Sequence, residues 1–190
     1  MVERRAEVLV ATTPALVLGS TQDDTVLEPG DLAVVRRRSG GGAVLVGPGD
    51  PLWIDVDLPV GDPHWEDDVG RSFLWLGRCW ADALGAHGVA AEVHEGAFEP
   101  GPWGRTVCFA GRGPGEVMVD GAKVVGLAQR RTRAGACIQC AVPASWDPTR
   151  LIEALVAAPD RERAAIDLAS VATAPGVDLD ALRETFLALL

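Results

Sequence analysis

Between Leu52 and Leu58 the chain alternates apolar and polar side chains, with Ile54, Val56 and Leu58 set against Trp53, Asp55 and Asp57. A period of two is the mark of a half-buried strand. Shorter apolar runs bounded by glycine, proline or charged residues predict further strands at residues 7–11, 15–18, 31–37 and 43–46. The period then changes. From residue 67 to 87 Val69, Phe73, Leu76, Trp80 and Ala83 step by four, three, four and three, one face of a helix that Asp67 or Asp68 can cap. Phe73, Trp75 and Trp80 read as core packing. Strands resume at 89–94, 105–110, 116–119, 123–129 and 136–142, with glycine-rich residues 111–115 and Asp120-Gly121 as hairpin turns.

The last stretch changes character again. Asp147-Pro148 is a helix start, followed by the apolar stripe Leu151, Ile152, Leu155 and Val156, and two more helices are expected at 160–173 and 178–190. Strands, a helix, strands and then helices imply an α+β fold, with a mixed, mainly antiparallel sheet and helices packed on it. At 190 residues one core is enough.

Charge narrows the function classes. With 17 basic and 27 acidic residues the formal charge is −10, so the surface is no general landing pad for nucleic acid. Any anion site has to be local. Four cysteines, Cys79, Cys108, Cys137 and Cys140, are too few and too scattered for a disulfide scaffold, which suits reduced thiols and a cytoplasmic protein. Arg4 and Arg5 ahead of apolar residues imitate a secretory leader, but Thr12-Thr13-Pro14 divides the run into two strands. No run approaches the ~18 apolar residues of a membrane span, so no membrane partner is expected.

The segment richest in chemistry is Arg36-Arg-Arg-Ser-Gly-Gly-Gly-Ala-Val44. Consecutive glycines at a strand end let backbone N–H groups close on an anion, and the arginines bring countercharge. Arg36, Arg37, Arg38, Arg130, Arg131 and Arg133 put six of the 17 cations into two short segments, a local positive potential suited to a phosphate or carboxylate. A loose hairpin turn with solvated arginines is the plainer alternative. In the second segment, residues 116–131, a two-residue Asp120-Gly121 turn pairs Val119 with Ala122 and sets Met118 opposite Lys123. A lysine inside an apolar strand either snorkels to water from an edge or needs an anionic partner.

Together these segments resemble the lipoate–protein ligase family, within the wider group of biotin and lipoate ligases and octanoyltransferases. The resemblance rests on Gly19-Ser-Thr-Gln22, on the arginine–glycine segment and on Asp120-Gly-Ala-Lys-Val-Val-Gly-Leu-Ala128. It implies a class II synthetase-like catalytic fold over residues 1–148, with residues 149–190 as helices packed on the same domain. It also implies a reaction: a lipoate or octanoate carboxylate attacks the α-phosphate of ATP, with Mg2+ accompanying the triphosphate, and the acyl-adenylate acylates a lysine of a lipoyl carrier domain. By the same resemblance Lys123 sits on the carboxylate and phosphate. Arg37, Ser39, Gly40, Gly41, Gly42, Ala43, Val44, Leu45, Gly126 and Ala128 line the nucleotide and acyl site, and an apolar sheet face forms a tunnel for the chain. No side-chain cage for a metal is expected.

The sequence departs from the family at several points. It reaches its first strand without the family's opening helix, and Leu45-Val-Gly-Pro-Gly49 stands where an aromatic residue and a histidine are usual. Ala136-Cys-Ile-Gln-Cys140 replaces a His-Gly strand. A separate C-terminal accessory domain is not recognisable. These departures admit a non-catalytic acyl-binding homologue, or a site completed by a partner subunit.

Cys108-Phe109 resembles the cysteine pair of the octanoyltransferases, which take the acyl group from an acyl carrier protein thioester without ATP. A thiolate nucleophile profits from a nearby cation. A hairpin centred near Gly113 predicts Cys108 opposite Met118, two strand spacings or on the order of 10 Å from Lys123. An inert core thiol is the alternative. Cys137 and Cys140, three apart in a strand, point to opposite faces and suit neither a metal nor a disulfide. His64, His87 and His94 are scattered and take no role.

Overall fold

The computed structural model describes residues 3–23 and 31–190. Its frame is an antiparallel sheet. The alternating segment becomes β5 (Leu52–Pro59), paired with β1 (Arg5–Leu9) on one side and β9 (Gly135–Val142) on the other. Ile54, Val56 and Leu58 are buried on the inner face, as the period of two requires. β8 (Ala122–Arg131) pairs with β9, then swings over to β7 (Val117–Val119), which meets β6 (Glu92–Val93). A smaller sheet holds β3 (Ala33–Arg36), β2 (Ala15–Leu18) and β4 (Val44–Val46) in that order, with β2 and β3 parallel.

Helix α1 (Leu74–Ala86) lies on the inner face of the large sheet beside α4 (Leu179–Leu189). Trp80 and Phe186, both fully buried, stack with ring centroids 3.7 Å apart. The helix starts later than its sequence period suggests. Asp68 Oδ1 accepts from the Gly70 and Arg71 amides, and a 3-10 turn at Arg71–Phe73 leads into the first α turn. The small sheet is covered by α2 (Thr149–Leu155) and α3 (Arg161–Leu168), where Leu151, Ile152, Leu155 and Leu168 pack on Leu16, Leu18 and Ala43. Asp147 and Asp178 accept from Thr149 N and Ala181 N at the starts of α2 and α4. Among the described residues no helix is long and apolar enough to cross a membrane.

One expected strand is absent. Residues 105–110 form a turn and a 3-10 helix, Cys108–Ala110, with a single parallel bridge between Ala43 and Val107. The cause is a distant partner: Ala43 N donates to Thr106 O and Cys108 N to Ala43 O, so this backbone is satisfied by the end of the glycine segment instead of by a hairpin.

Candidate active site

The turn at Asp120-Gly121 has positive φ at both residues, 48° and 79°, the geometry of a tight hairpin. It places Val119 against Ala122 and Met118 against Lys123. Lys123 sits beside an irregularity in the β7–β8 ladder and is 1% exposed. Its ammonium is held by Glu116 Oε2 at 2.6 Å and by the Cys108 carbonyl at 3.0 Å, with the Phe109 ring centroid 5.8 Å away. Glu116, 5% exposed, also accepts from Gly113 N at 2.6 Å and from Leu127 N at 3.2 Å. Leu127 N lies beyond the end of β7, so the carboxylate takes an amide that the ladder no longer reaches. Taking two charges out of water is costly, and here the close contact of the pair and the two backbone amides on the carboxylate offset that cost. The backbone of Lys123 is braced too, since its N–H donates to Val171 O and its carbonyl accepts from Thr173 N.

Lys123 lines a cavity of about 260 Å³ with Gly40, Gly41, Gly42, Cys108 and Ala128. The side-chain-free bend and the ammonium therefore do meet. The bend is built by close approach. A Cβ on Gly42 would lie 2.6 Å from Cys108 N, and one on Gly19 would lie 1.9 Å from Gly41 O. Gln22 fastens the same corner, accepting from Gly19 N and donating to Thr106 O. Arg37, 7% exposed, spans the bend from behind: Nε donates to Ser39 Oγ at 3.0 Å, and Nη2 to the Gly40 and Gly42 carbonyls at 2.7 and 2.9 Å. Its Nη1 is buried with no hydrogen-bond partner. On its far side Arg37 lines an apolar cleft of about 270 Å³ with Val17, Val46, Pro51 and Trp53.

Other expected positions fall elsewhere. Ser39 and Ala43 are buried behind the bend, Gly126 lies under the Phe109 ring, and Val44 and Leu45 line a separate cleft with Trp146. The arginines do not converge. Arg36 donates to the Gly19 and Gln22 carbonyls, Arg38 is exposed, Arg130 lines a cleft with Arg5, and Arg131 lies over the Trp65 ring. β3 ends at Arg36, and beyond it the chain buries Arg37 and leaves Arg38 exposed, so a shared stretch of sequence gives no shared direction.

Cys108 is not opposite Met118, where Glu92 pairs instead. The 3-10 turn aims the Cys108 carbonyl at the Lys123 ammonium, and the Cys108 Sγ lies 4.0 Å from Arg37 Nη2. Cys137 and Cys140 are inert by environment: burial together with Asp55 and Asp57 pushes the Cys137 thiol well up, and burial raises Cys140 to about 12. Sequence reasoning missed Glu116, Phe73, Phe98 and Gln129, all in the Lys123 cavity wall. Phe73 belongs to the apolar helical period, which marks it as buried but does not separate core from cavity. Among the described residues no group of three or more His, Cys, Asp or Glu converges as a metal cage.

No curated protein matches the sequence. Solved structures do match in fold. A bi-partite lipoate protein ligase from Thermoplasma acidophilum, from an archaeal lipoylation system with its E2 lipoyl domain, superposes with a TM-score of 0.77 at 15% identity, over 98% of this chain and 69% of that one. A lipoate-protein ligase A bound with ATP gives 0.72 at 17%, over 98% and 71%. LipL1 of P. falciparum in complex with lipoate gives 0.65 at 12%, over 98% and 46%. The model of the lipoyl protein ligase A/B catalytic domain matches residues 5–183. With so little of the sequence outside that match, the chain is a lipoate–protein ligase-like catalytic domain and belongs to the lipoyl protein ligase A/B family.

Proposed function

We propose that this domain activates lipoate or octanoate with ATP and passes the acyl group to a lysine of a lipoyl carrier domain. The observation that carries this is the buried Lys123 ammonium facing the Gly40 to Gly42 bend across one cavity. An ammonium has three N–H donors, and Glu116 and the Cys108 carbonyl occupy two of them. The third is available to an anion in the cavity. A carboxylate oxygen attacking the α-phosphorus crowds negative charge on that centre as pyrophosphate leaves, and a fixed cation there stabilises the transition state more than the ground state. The carrier lysine amine then attacks the acyl carbonyl and AMP departs. Arg37 joins the two halves of the site, since it lies between the Lys123 cavity and an apolar cleft suited to an aliphatic chain. Backbone at the bend suits a triphosphate, whose Mg2+ would be held chiefly by phosphate oxygens. A separate subunit completing the site is consistent with this reading, as the relative described as bi-partite illustrates.

A second reading has its own observation: Cys108 lines the same cavity, with Arg37 Nη2 4.0 Å from its sulfur. There an acyl carrier protein thioester would exchange its acyl group onto Cys108, and the carrier lysine would take it from that sulfur without ATP.

One set of measurements tests both. Wild-type protein with ATP and lipoate or octanoate should exchange labelled pyrophosphate, and Lys123→Met should abolish exchange. Because the substitution strands the Glu116 carboxylate, at a cost of about 3–5 kcal/mol, folding is checked by circular dichroism. Folded Lys123→Met with undiminished exchange overturns the role of Lys123. An octanoyl adduct formed without ATP and lost in Cys108→Ser favours the transferase.

A further inference from the structure

Arg37 belongs to the recognisable arginine–glycine segment, but what aims it comes from the large sheet. Ser39 Oγ, which accepts from Arg37 Nε, donates to Gln139 Oε1 at 2.5 Å. Gln139 Nε2 in turn donates to both carboxylate oxygens of Asp55, at 3.2 and 3.1 Å. Asp55 lies directly opposite Gln139 in the β5–β9 register, and Ala128 of the Lys123 cavity lies opposite it on the other side. Asp55 also accepts from Trp53 Nε1 at 2.8 Å.

The polarity of this chain is set at one end. An ionised carboxylate only accepts, so Asp55 requires the amide of Gln139 to present its NH2, which turns Oε1 toward Ser39. Ser39 is 1% exposed and has one hydroxyl proton. With that proton on Gln139, its lone pairs face Arg37 Nε. Reversing the amide would direct two donors at Ser39 and leave its proton buried without an acceptor, at the cost of an unsatisfied polar group. The guanidinium is thereby held flat against the bend, with Nη2 on the glycine carbonyls and Nη1 as its unpartnered donor.

We infer that Asp55 and Gln139, which lie outside both recognisable motifs, are positioning residues that orient Arg37 through Ser39 and so set affinity for the acyl ligand. The acyl part of this inference rests on the proposed function; the orientation of Arg37 does not. Two measurements separate them. In nitrogen-15 spectra of the unliganded protein the Arg37 Nε–H signal, assigned by its loss in Arg37→Lys, should be slow to exchange in wild type and fast in Asp55→Ala and Gln139→Leu. Gln139→Glu, which opposes a second carboxylate to Asp55, should behave like Gln139→Leu despite its closer shape. In steady-state exchange assays Asp55→Asn should raise KM for octanoate or lipoate about tenfold with kcat within about threefold.

A Nε–H signal equally protected in every folded variant overturns the inference, whatever the substrate. Loss of protection with KM unchanged overturns its acyl half, as does a fall in kcat at constant KM. If wild-type protein neither exchanges pyrophosphate nor binds octanoate in calorimetry, the proposed function fails along with the acyl half, while the spectra still decide the orientation of Arg37.

Discussion

Gly40, Gly41 and Gly42 are equivalent in the sequence and unequal in the structure. A Cβ at position 40 meets nothing within 4 Å, one at 41 would be 2.9 Å from Arg37 Nη2 on a backbone with φ of +97°, and one at 42 would strike the Val107 and Cys108 backbone at 2.6 Å. Backbone cannot swing aside as a side chain can, so Gly42→Ala should destabilise by about 1–3 kcal/mol, while Gly40→Ala should stay within about 0.5 kcal/mol. Urea denaturation of the two variants checks this; equal midpoints would mean the bend is not clamped against residues 107–108. The motif announced that a close approach exists, while Lys123 left open whether it snorkels to water or takes an anionic partner. That the anion is Glu116 was illegible, because an acid at the head of a strand looks like any solvated turn residue.

At the scale of elements, what survived from the sequence were the periodic segments. β5 lies where alternation put it, β2 where a short apolar run did, and the Asp120-Gly121 hairpin has the expected register. Residues 105–110 misled because an apolar run does not reveal its hydrogen-bond partner, and here the partner is Ala43, more than sixty residues earlier. The α1–α4 contact was likewise invisible: two apolar stripes far apart in sequence carry no sign that they will share a face. Phe186 is fully buried against Trp80, and Phe186→Ala should therefore cost about 3–5 kcal/mol by chemical denaturation. A loss under about 1 kcal/mol would show that α4 does not depend on this stack.

Across the whole molecule, carboxylates tie remote segments together. Burial disfavours the charged form of Asp62, yet the His64 amide and the Arg4 guanidinium outweigh it and hold the carboxyl below its usual range. Asp167 is lowered by hydrogen bonds from Arg163 and the Trp103 indole, and Asp147 by its bonds to Thr149. Each binds a proton more readily unfolded than folded. Their contribution is complete above the ordinary carboxylate pKa, near 4, and is lost as pH falls through the lower folded values. Melting temperature should hold from pH 7 to about 5 and drop below about 4. Asp62→Asn should flatten that drop, and a drop as steep in Asp62→Asn as in wild type would contradict the assignment. By itself the sequence determined much of the local chemistry: where an alternating segment is pleated, where an apolar stripe coils, where a bend without side chains lies and which lysine sits within an apolar strand. These follow from spacing and from side-chain identity, which are local properties. Only the tertiary structure decided which arginine of the six reaches the bend, that Glu116 neutralises Lys123, and that Asp55 on a separate sheet governs Arg37. Those depend on which distant backbones come into register, and that is settled by the burial of both sheets against their helices.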